Sequence, residues 1–380
     1  MLDLKKIKKE LVAQSMGKRH INIDVNKLYN LYDEVKEENK KLSNLYAKRK
    51  NIDISEALIL KKEIKDLEEK INNKEIELDR LLRNTPNILS DDVPLGRDSH
   101  DNIVIKQHGE LIHKINHSEF LLEHNFGTRL VIYNKELARL ERALVQFMLD
   151  VLLKHGFTEF NVPYILPKEK FILTGHDKDF QNMFEVEKDK YLIPTGEVPL
   201  VCMGNEKRFD TNDEAWRICT VTDCFRKEAG AAGKDTKGLI RLHQFKKCEM
   251  VVFTSADNGE NELNNMIKIS SEMLEQLEIP YRLLLLCSGD TPLNNMKTYD
   301  LEIPIGNEWR EVSSISICGT YQSKNLNCKY GDELAYTLNG SALAVGRTMA
   351  SFVEVHYNKG FLHIPKVLQN YIQNDKIKLS

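Results

Sequence analysis

Apolar residues in the first quarter of the chain recur three and four positions apart, which is the period of an amphipathic helix. Two runs follow this pattern on either side of a break near residues 50–55: Leu28, Leu31, Val35, Leu42 and Leu45, then Leu60, Ile64, Leu67, Ile71, Leu78 and Leu81. Glu38 is the polar exception in the first run. The pattern predicts two helices folded back as an antiparallel hairpin, preceded by a short basic lead with one or two helical turns. A helix of about 28 residues is on the order of 40 Å long.

Residues 84–96 read NTPNILSDDVPLG and are rich in Pro, Asn and Asp, which end helices and form turns. We therefore predict an N-terminal domain with its linker at residues 1–96 and a second domain at residues 97–380. The heptad pattern alone favours a dimerisation coiled coil or a plain pair of bundle helices for the hairpin. Between residues 100 and 129 the pattern does not assign every residue to a helix or a strand.

The second domain begins with a predicted helix from Leu137 to His155, which Gly156 ends. Its apolar positions are Leu137, Leu140, Leu144, Met148, Leu152 and Leu153. The following segment, FTEFNVPYIL, is strand-like, and Pro163 ends it. Further along, residues 258–278 predict an amphipathic helix, and YRLLLLC and KTYDLEIPI predict strands.

One stretch, residues 225–249, combines two strand-like flanks with a glycine-rich centre. The flanks predict two antiparallel strands joined by a long loop. The polar and glycine positions of the stretch are Arg226, Glu228, Gly230, Gly233, Gly238, Arg241, Phe245 and Glu249. A guanidinium can bridge a phosphate and a carboxylate, and an aromatic face can cover a purine, so the set suits a nucleotide. Singly, such an Arg is more often in a surface ion pair and such a Phe more often in a core.

The composition narrows the class of protein. The 380 residues predict two or three domains, and the net charge of -3 excludes a global attraction to nucleic acid while permitting local basic patches. Seven cysteines without a CxxC pair indicate neither a zinc knuckle nor a disulfide framework, which favours a reducing cytoplasm. We identify no targeting signal, and no apolar run approaches the roughly 20 residues of a membrane span.

The order Arg-x-Glu, glycine-rich loop and Arg-x3-Phe-x3-Glu resembles the second signature motif of class II aminoacyl-tRNA synthetases, and its wording is similar to the seryl-tRNA synthetase family. The helix, strand and Pro163 resemble the first motif, which in the family builds a two-fold dimer interface. LNGSALAVGRTMASFVEV resembles the third, with Gly340, Gly346 and Arg347 at the start of a helix. The resemblance implies an α+β fold: an N-terminal antiparallel α-helical hairpin that binds tRNA, and a class II catalytic domain on an antiparallel β-sheet flanked by helices.

The resemblance also implies roles for individual residues. Implied serine-binding residues are Thr195, Glu197, Arg226, Glu249 and Ser341. Implied ATP-binding residues are Arg226, Glu228, Leu242, Phe245, Glu311, Val312, Ser313, Ser314 and Arg347, of which Arg226, Glu228 and Arg347 are the catalytic set and Glu311 and Ser314 the Mg²⁺ ligands. Two departures from the family are Gly196, where Ala is expected and added backbone freedom predicts a looser loop, and Ala342, where Gly is frequent and a tighter ligand approach is expected.

The implied activity is that of a serine–tRNA ligase. ATP and L-serine form seryl-adenylate, and the seryl group then passes to the 3'-terminal ribose of tRNA(Ser). A cytoplasmic homodimer without membrane contact is expected. Two alternatives remain open: a paralogue that loads an amino acid onto a carrier protein or metabolite, and a non-catalytic relative that binds tRNA through the arm.

Overall fold

The computed structural model describes residues 1–49, 54–212, 214–230, 233 and 235–379. The chain forms two compact units, Met1–Ile88 and Leu89–Ser380. Residues 89–96 lie in the second unit, whereas the sequence places them in the linker. The functional division after residue 96 stays a prediction.

Helices and strands alternate irregularly along the described residues. The α-helices are α1 (Lys9–Lys18), α2 (Val25–Arg49), α3 (Ile54–Arg83), α4 (Lys135–Lys154), α5 (Lys168–Thr174), α6 (Glu197–Cys202), α7 (Gly259–Gln276), α8 (Tyr321–Leu326), α9 (Val345–His356) and α10 (Lys366–Ile372). The strands are β1 (Ile103–His108), β2 (Thr158–Glu159), β3 (Ile165–Pro167), β4 (Glu185–Glu187), β5 (Lys190–Leu192), β6 (Arg208–Phe209), β7 (Trp216–Phe225), β8 (Gln244–Thr254), β9 (Tyr281–Leu285), β10 (Lys297–Ile305), β11 (Glu308–Gly319), β12 (Lys329–Tyr330), β13 (Glu333–Leu334), β14 (Tyr336–Ala344), β15 (Tyr357–Asn358), β16 (Phe361–His363) and β17 (Lys376–Lys378).

The predicted hairpin is formed by α2 and α3. Ion pairs join residue 27 to residue 77 and residue 34 to residue 74, so α3 runs back along α2. The apolar seam is buried at Leu28, Leu31, Val35, Ile64, Ile71 and Leu78. The predicted break near residues 50–55 falls partly outside the described residues, and α1, with ten residues, is longer than the predicted one or two turns.

Glu38 enters the hairpin seam as the sequence indicated, and the partner helix neutralises it. Its carboxylate receives the ammonium groups of Lys70 at 2.7 Å and Lys74 at 2.9 Å. The hydrogen bonds from these two lysines, first Lys70 and then Lys74, lower the pKa of Glu38. A buried carboxylate is tolerated here because it is paired with two cations.

The second unit is built on an eight-stranded sheet in the order β1-β9-β10-β11-β14-β8-β7-β2, antiparallel except for the parallel pair β2 and β7. The predicted antiparallel pair on either side of the glycine-rich loop is β7 and β8, with Trp216 opposite Phe253 and Phe225 opposite Gln244. The α+β class is confirmed. Within the described residues, no helix is both long enough and apolar enough to cross a membrane.

The two faces of this sheet carry different sets of helices because side chains alternate along each strand. Helices α4, α7 and α9 bury the main core, in which β8 contributes Cys248, Met250 and Val252. Helix α6 covers the opposite face, where Val251 and Phe253 of the same strand pack with Leu200 and Val201. Glu249 belongs to this second face, so the alternation of β8 directs a carboxylate away from the main core.

One predicted strand needs correction, and one apolar residue of a predicted helix is exposed. The strand expected over FTEFNVPYIL is two separate strands, since β2 joins the large sheet whereas β3, after Pro163, pairs with β5 in a small sheet. Pro163 lacks a backbone N–H and stands between them. Leu153 is one of the apolar positions of the helix that forms α4, yet it is 45% exposed. It follows the fully buried Leu152 by one position, which turns it about 100° around the helix toward solvent.

Candidate active site

A cavity of about 540 Å³ opens beside the sheet and gathers most of the residues that the sequence singled out. Those that line it are Glu197, Arg226, Glu228, Leu242, Phe245, Glu249, Glu311, Val312, Ser314, Ser341 and Arg347. Thr195 and Ser313 are not part of the wall. Both are buried behind it, where Thr195 bonds to Glu249 and the Ser313 hydroxyl donates to the Ser341 carbonyl.

Glu249 lies at one end of the cavity, where several polar side chains surround it. It lies on β8 between Thr220 of β7 and Ser341 of β14, and it is 2% exposed. Its Oε1 accepts hydrogen bonds from Thr195 Oγ1 at 3.0 Å and Ser341 Oγ at 3.3 Å, and the same oxygen pairs with the ammonium of Lys247. In the described part of the chain, these contacts engage one carboxylate oxygen and leave Oε2 to meet a ligand.

Glu197 supplies a second carboxylate to this end of the cavity. It is the first residue of α6, and its backbone N–H donates to Thr195 Oγ1 at 3.2 Å. Gln322 Nε2 donates to Glu197 Oε1 at 2.9 Å, and His176 Nε2 lies 3.7 Å from Oε2. Two carboxylates in one small volume suit a ligand that carries an ammonium group and a hydroxyl.

Gly196 has a role different from the loosening that its backbone freedom suggested. Its φ of -67° and ψ of -12° are open to any residue, so the glycine is not needed for conformation. A Cβ at this position would lie 2.8 Å from Thr220 Cγ2, 3.1 Å from Thr222 Oγ1 and 3.3 Å from Glu249 Cγ. The glycine therefore lets the Thr195–Glu197 turn pack directly on β7 and β8.

Ala342 also acts differently from expectation. Its side chain is fully buried in the main core with residues of α9 and does not line the cavity. Ser341, one position earlier, faces the cavity because successive strand residues point to opposite sides. The departure from the family at position 342 thus concerns helix packing, and no tighter ligand approach follows from it.

Arginines dominate the other end of the cavity. Arg226 follows β7, donates from Nε to the Pro194 carbonyl at 3.2 Å, and lies with its guanidinium 5.2 Å from the centre of the Phe245 ring. Because the guanidinium is a flat cation, it can cover the aromatic face and still direct its other N–H groups at an anion. This pair joins a charged group to a stacking surface.

A chain of ion pairs follows the loop between β7 and β8. Arg241 donates to Glu228 at 3.1 Å and to Asp235 at 3.3 Å, and Asp235 also receives Arg310 at 3.4 Å. Glu228 and Asp235 both adopt positive φ angles, of 52° and 45°. Two arginines that share one partly exposed carboxylate are suited to receive a polyanion, since phosphate oxygens can replace the carboxylate.

Arg347 near the start of α9 connects this loop to β11. Its Nε donates to the Ile240 carbonyl at 3.2 Å, one terminal nitrogen donates to the Glu311 carbonyl at 2.6 Å, and the same nitrogen lies 3.8 Å from the Glu311 carboxylate. Backbone acceptors fix the direction of the guanidinium. The charge itself faces the cavity.

The donor set beside Arg347 fits a hard cation such as Mg²⁺. The Glu311 carboxylate and the Ser314 hydroxyl both line the cavity, and Asp300 of β10 is opposite Ser314 in the register. In the described structure Asp300 Oδ1 is buried without a hydrogen bond, and burial, followed by the nearby charge of Glu311, raises the pKa of Asp300 well above its usual range. No group of three or more His, Cys, Asp or Glu side chains within the described residues is placed to hold a metal. A cation here would complete its shell with water and substrate phosphates.

Three contacts to the site were missed by the sequence reasoning. Lys247 is two residues before Glu249 on the same strand, so strand alternation could have revealed it as a neighbour. His176 and Gln322 come from α5's C-terminal turn and from α8, far from the motifs in sequence. Only the folded chain brings them to Glu197.

Residues 180–356 match the family model described as tRNA synthetase class II core domain (G, H, P, S and T). The chain is 36% identical to the serine–tRNA ligase of Mycoplasma mobile over 422 aligned positions, covering 99% of this chain and all of that protein. Its fold is similar to seryl-tRNA synthetase from Pyrococcus horikoshii complexed with ATP, with a TM-score of 0.90, 30% identity and full coverage of both chains. The cytoplasmic serine–tRNA ligase of Naegleria fowleri in complex with AMP gives a TM-score of 0.90 at 29% identity, over 99% of this chain and 97% of that one.

Proposed function

Since the chain belongs to the serine–tRNA ligase family of class II aminoacyl-tRNA synthetases, we propose that the cavity around Glu249 and Arg226 is where it activates serine. The enzyme uses ATP to convert L-serine to seryl-adenylate and then transfers the seryl group to tRNA(Ser). The full-length similarity to serine–tRNA ligases disfavours a carrier-protein paralogue and a non-catalytic relative.

Serine binds at the carboxylate end. Its ammonium pairs with Glu197 beside Thr195, its carboxylate faces Arg226, and its hydroxyl donates to Glu249, with Ser341 next to it. Alanine would leave the buried Glu249 oxygen without a donor, and an unpaired buried acceptor costs more than a lost methylene contact. Selectivity for serine over alanine then depends on a hydrogen bond and not on the size of the pocket.

ATP binds at the arginine end. Adenine stacks on Phe245 with Glu228 at its edge and Leu242 and Val312 as apolar wall, and the phosphates extend along Arg226 and Arg347. Glu311 and Ser314 would hold Mg²⁺, which when bound neutralises phosphate charge. These residue roles agree with the resemblance to the family and with the position of each side chain on the cavity wall.

The chemistry requires no nucleophile from the protein. The serine carboxylate attacks the α-phosphorus and pyrophosphate leaves, after which the terminal ribose hydroxyl of tRNA attacks the seryl carbonyl and AMP leaves. The protein contributes by holding the two substrates together and by stabilising negative charge on the phosphate with Arg226. Buried contacts such as those of Glu249 keep these groups in place before the substrates arrive.

The observation that carries the proposal is the convergence of Thr195, Ser341 and Lys247 on one oxygen of Glu249. The test is ATP–pyrophosphate exchange with each of the amino acids, with and without tRNA. Serine should support exchange, and alanine and glycine should not. Exchange with alanine at a rate like that of serine would remove Glu249 from its proposed role.

We propose that the hairpin α2–α3 binds tRNA. Exposed basic residues lie along it: Lys36, Lys40, Lys48, Arg49, Lys61, Lys62 and Lys65. Such side chains contact phosphates and read the shape of RNA more than its sequence. Acidic residues balance many of these charges, so we expect a modest dependence of tRNA affinity on salt.

We also propose a homodimer that works in the cytoplasm. Edge strand β1 exposes Ile103, Val104 and Ile105, and Phe126 nearby in sequence is 67% exposed. An edge strand with apolar side chains is a surface on which a second chain can pair. All seven cysteines are free thiols, which agrees with a reducing compartment. Light scattering should give twice the chain mass, and a monomer would contradict the proposal.

A further inference from the structure

His117 is a buried histidine in the segment 100–129, where the sequence pattern did not assign every residue to a helix or a strand. It begins a short 3-10 turn, His117–Phe120, and is 5% exposed. Its Nδ1 lies 2.6 Å from Oε1 of Glu354, a fully buried residue of α9. Glu354 also accepts the backbone N–H of Gly306 at 2.7 Å, and His113 Nδ1 lies 3.2 Å from its Oε2.

The other ring nitrogen of His117 touches the loop that lines the cavity. The backbone N–H of Leu239 donates to His117 Nε2 at 3.0 Å. A backbone N–H can only donate, so Nε2 carries the lone pair and Nδ1 carries the hydrogen that is donated to Glu354. Burial opposes ionisation of Glu354, but the hydrogen bonds from His117 and Gly306 outweigh it and hold the pKa of Glu354 below its usual value. Hydrogen bonds at both ring nitrogens therefore fix the orientation of the His117 ring.

The loop lies directly against the imidazole ring. Gly238 has a φ of 78°, and a Cβ at this position would lie 2.5 Å from His117 Nε2. Leu239 and Ile240 follow at once and line the cavity. The Ile240 carbonyl accepts the Nε hydrogen of Arg347, so the path from Glu354 through His117 ends at a guanidinium of the proposed ATP site.

We propose that His117 is a positioning residue for ATP: its Nε2 anchors residues 238–240 and thereby sets the direction of Arg347. This rests on the proposed assignment of ATP to the cavity. His117 belongs to a segment outside the three motifs. It would contribute to ATP binding without contacting a substrate itself.

Two variants of the full-length enzyme separate the two ring nitrogens. In His117→Asn the side-chain amide reaches the Nδ1 position and can still donate to Glu354, but no atom occupies the Nε2 position. In His117→Gln the amide oxygen reaches the Nε2 position and can accept from Leu239. Pyrophosphate exchange is measured with ATP varied at saturating serine, and with serine varied at saturating ATP.

We expect His117→Asn to raise the KM for ATP about five- to tenfold, the effect of one lost hydrogen bond, with the KM for serine unchanged. His117→Gln should restore the KM for ATP to nearly the wild-type value. His113→Asn is the matched control and should change neither KM, because His113 contacts the same Glu354 but, within the described residues, has no hydrogen bond to residues 238–240. A normal KM for ATP in His117→Asn would overturn the proposal. So would KM values for ATP and for serine that rise equally in both His117→Asn and His117→Gln.

Hydrogen exchange of the wild-type enzyme gives a test that does not depend on the folding of the variants. The Leu239 amide should exchange slowly without ATP, because it is bonded to a buried acceptor. Exchange at the rate of an unprotected amide would contradict the anchor. The assignment of ATP to the cavity is tested separately by pyrophosphate exchange. If Arg226→Ala retains pyrophosphate exchange, that assignment fails. If Arg226→Ala loses it while His117→Asn keeps a normal KM for ATP, only the anchor is refuted.

Discussion

The surface of the hairpin and the cavity both carry paired charged side chains, but they hold these pairs in opposite ways. In the hairpin, Lys27 and Glu77 pair with their side chains 54% and 47% exposed. In the cavity, Lys247 and Glu249 pair at 14% and 3% exposure, with Thr195 and Ser341 on the same carboxylate. Exposed ion pairs can be substituted with little loss of stability, whereas each buried charged group depends on its partners. The comparison indicates a surface that is tolerant of change and a site that is not.

The largest effect is expected from Arg226→Ala. Removing the guanidinium takes away the charge that we propose to face the α-phosphate, and losing one such contact in a closed site costs a rate factor of about a thousand. Pyrophosphate exchange should be nearly abolished while circular dichroism and the melting temperature stay close to wild type. Near-normal exchange would show that the central motif is not the nucleotide site.

Glu249→Ala should act on serine more than on ATP. In the proposed site the lost acceptor faces the substrate hydroxyl. Sites built to bond a hydroxyl depend strongly on that bond, so we expect kcat/KM for serine to fall about a hundredfold or more. The KM for ATP, measured in the same exchange assay, should change little. A parallel loss of ATP affinity would place Glu249 in the nucleotide site or in the support of the fold.

Gly196→Ala tests how tightly the serine end is packed. The new methyl group would meet Thr220 Cγ2 at 2.8 Å, and overpacking of this kind costs about 1–3 kcal/mol. We expect a raised KM for serine, and the double variant Gly196→Ala/Thr220→Ala should recover much of the loss.

Two other glycines provide controls for that experiment. A Cβ at Gly204 would lie 2.3 Å from Phe253, so Gly204→Ala should lower stability without a selective effect on serine. Gly17 of α1 has no heavy atom within 4 Å of the added Cβ, and Gly17→Ala should be neutral or slightly stabilising. If Thr220→Ala gives no recovery, the clash at Gly196 is not what limits serine binding.

The smallest effect is expected in the hairpin. Lys27→Ala removes an exposed ion pair with Glu77, and such pairs contribute about 0.2–1 kcal/mol. Urea denaturation should show a change in the free energy of unfolding within that range, and serine-dependent exchange should be unaffected. A loss above about 2 kcal/mol would mean that the surface of the hairpin is less tolerant than its exposure indicates.

Periodicity and motif spacing predicted the parts of the molecule in which neighbours in sequence are neighbours in space. The hairpin seam, the β7–β8 pair and the turn into α9 are of this kind. FTEFNVPYIL was misjudged because apolar content does not tell which sheet a strand joins. The exposure of Leu153 could not be predicted from its apolar character, because one residue of helix rotation decides exposure.

The residues that hold the site residues in position could not be predicted, because they are distant from them in sequence. Gln322 reaches Glu197 across 125 positions, and His117 reaches Leu239 across 122. Neither contact has a local pattern, since each depends on how α8 or the segment around residue 117 packs. The role of Gly196 is similar, because it is set by the methyl group of Thr220 on another element.

The central claim is that the hairpin serves tRNA while the cavity serves serine and ATP. The most direct test is the full-length variant Lys61→Glu/Lys62→Glu/Lys65→Glu, assayed side by side for pyrophosphate exchange and for aminoacylation of tRNA(Ser). All three lysines are exposed on α3, so the fold should tolerate the change. We predict normal exchange with a KM for tRNA raised about tenfold or more, because phosphate contacts are replaced by repulsion. Unchanged aminoacylation, or a matching loss of exchange, would contradict the claim.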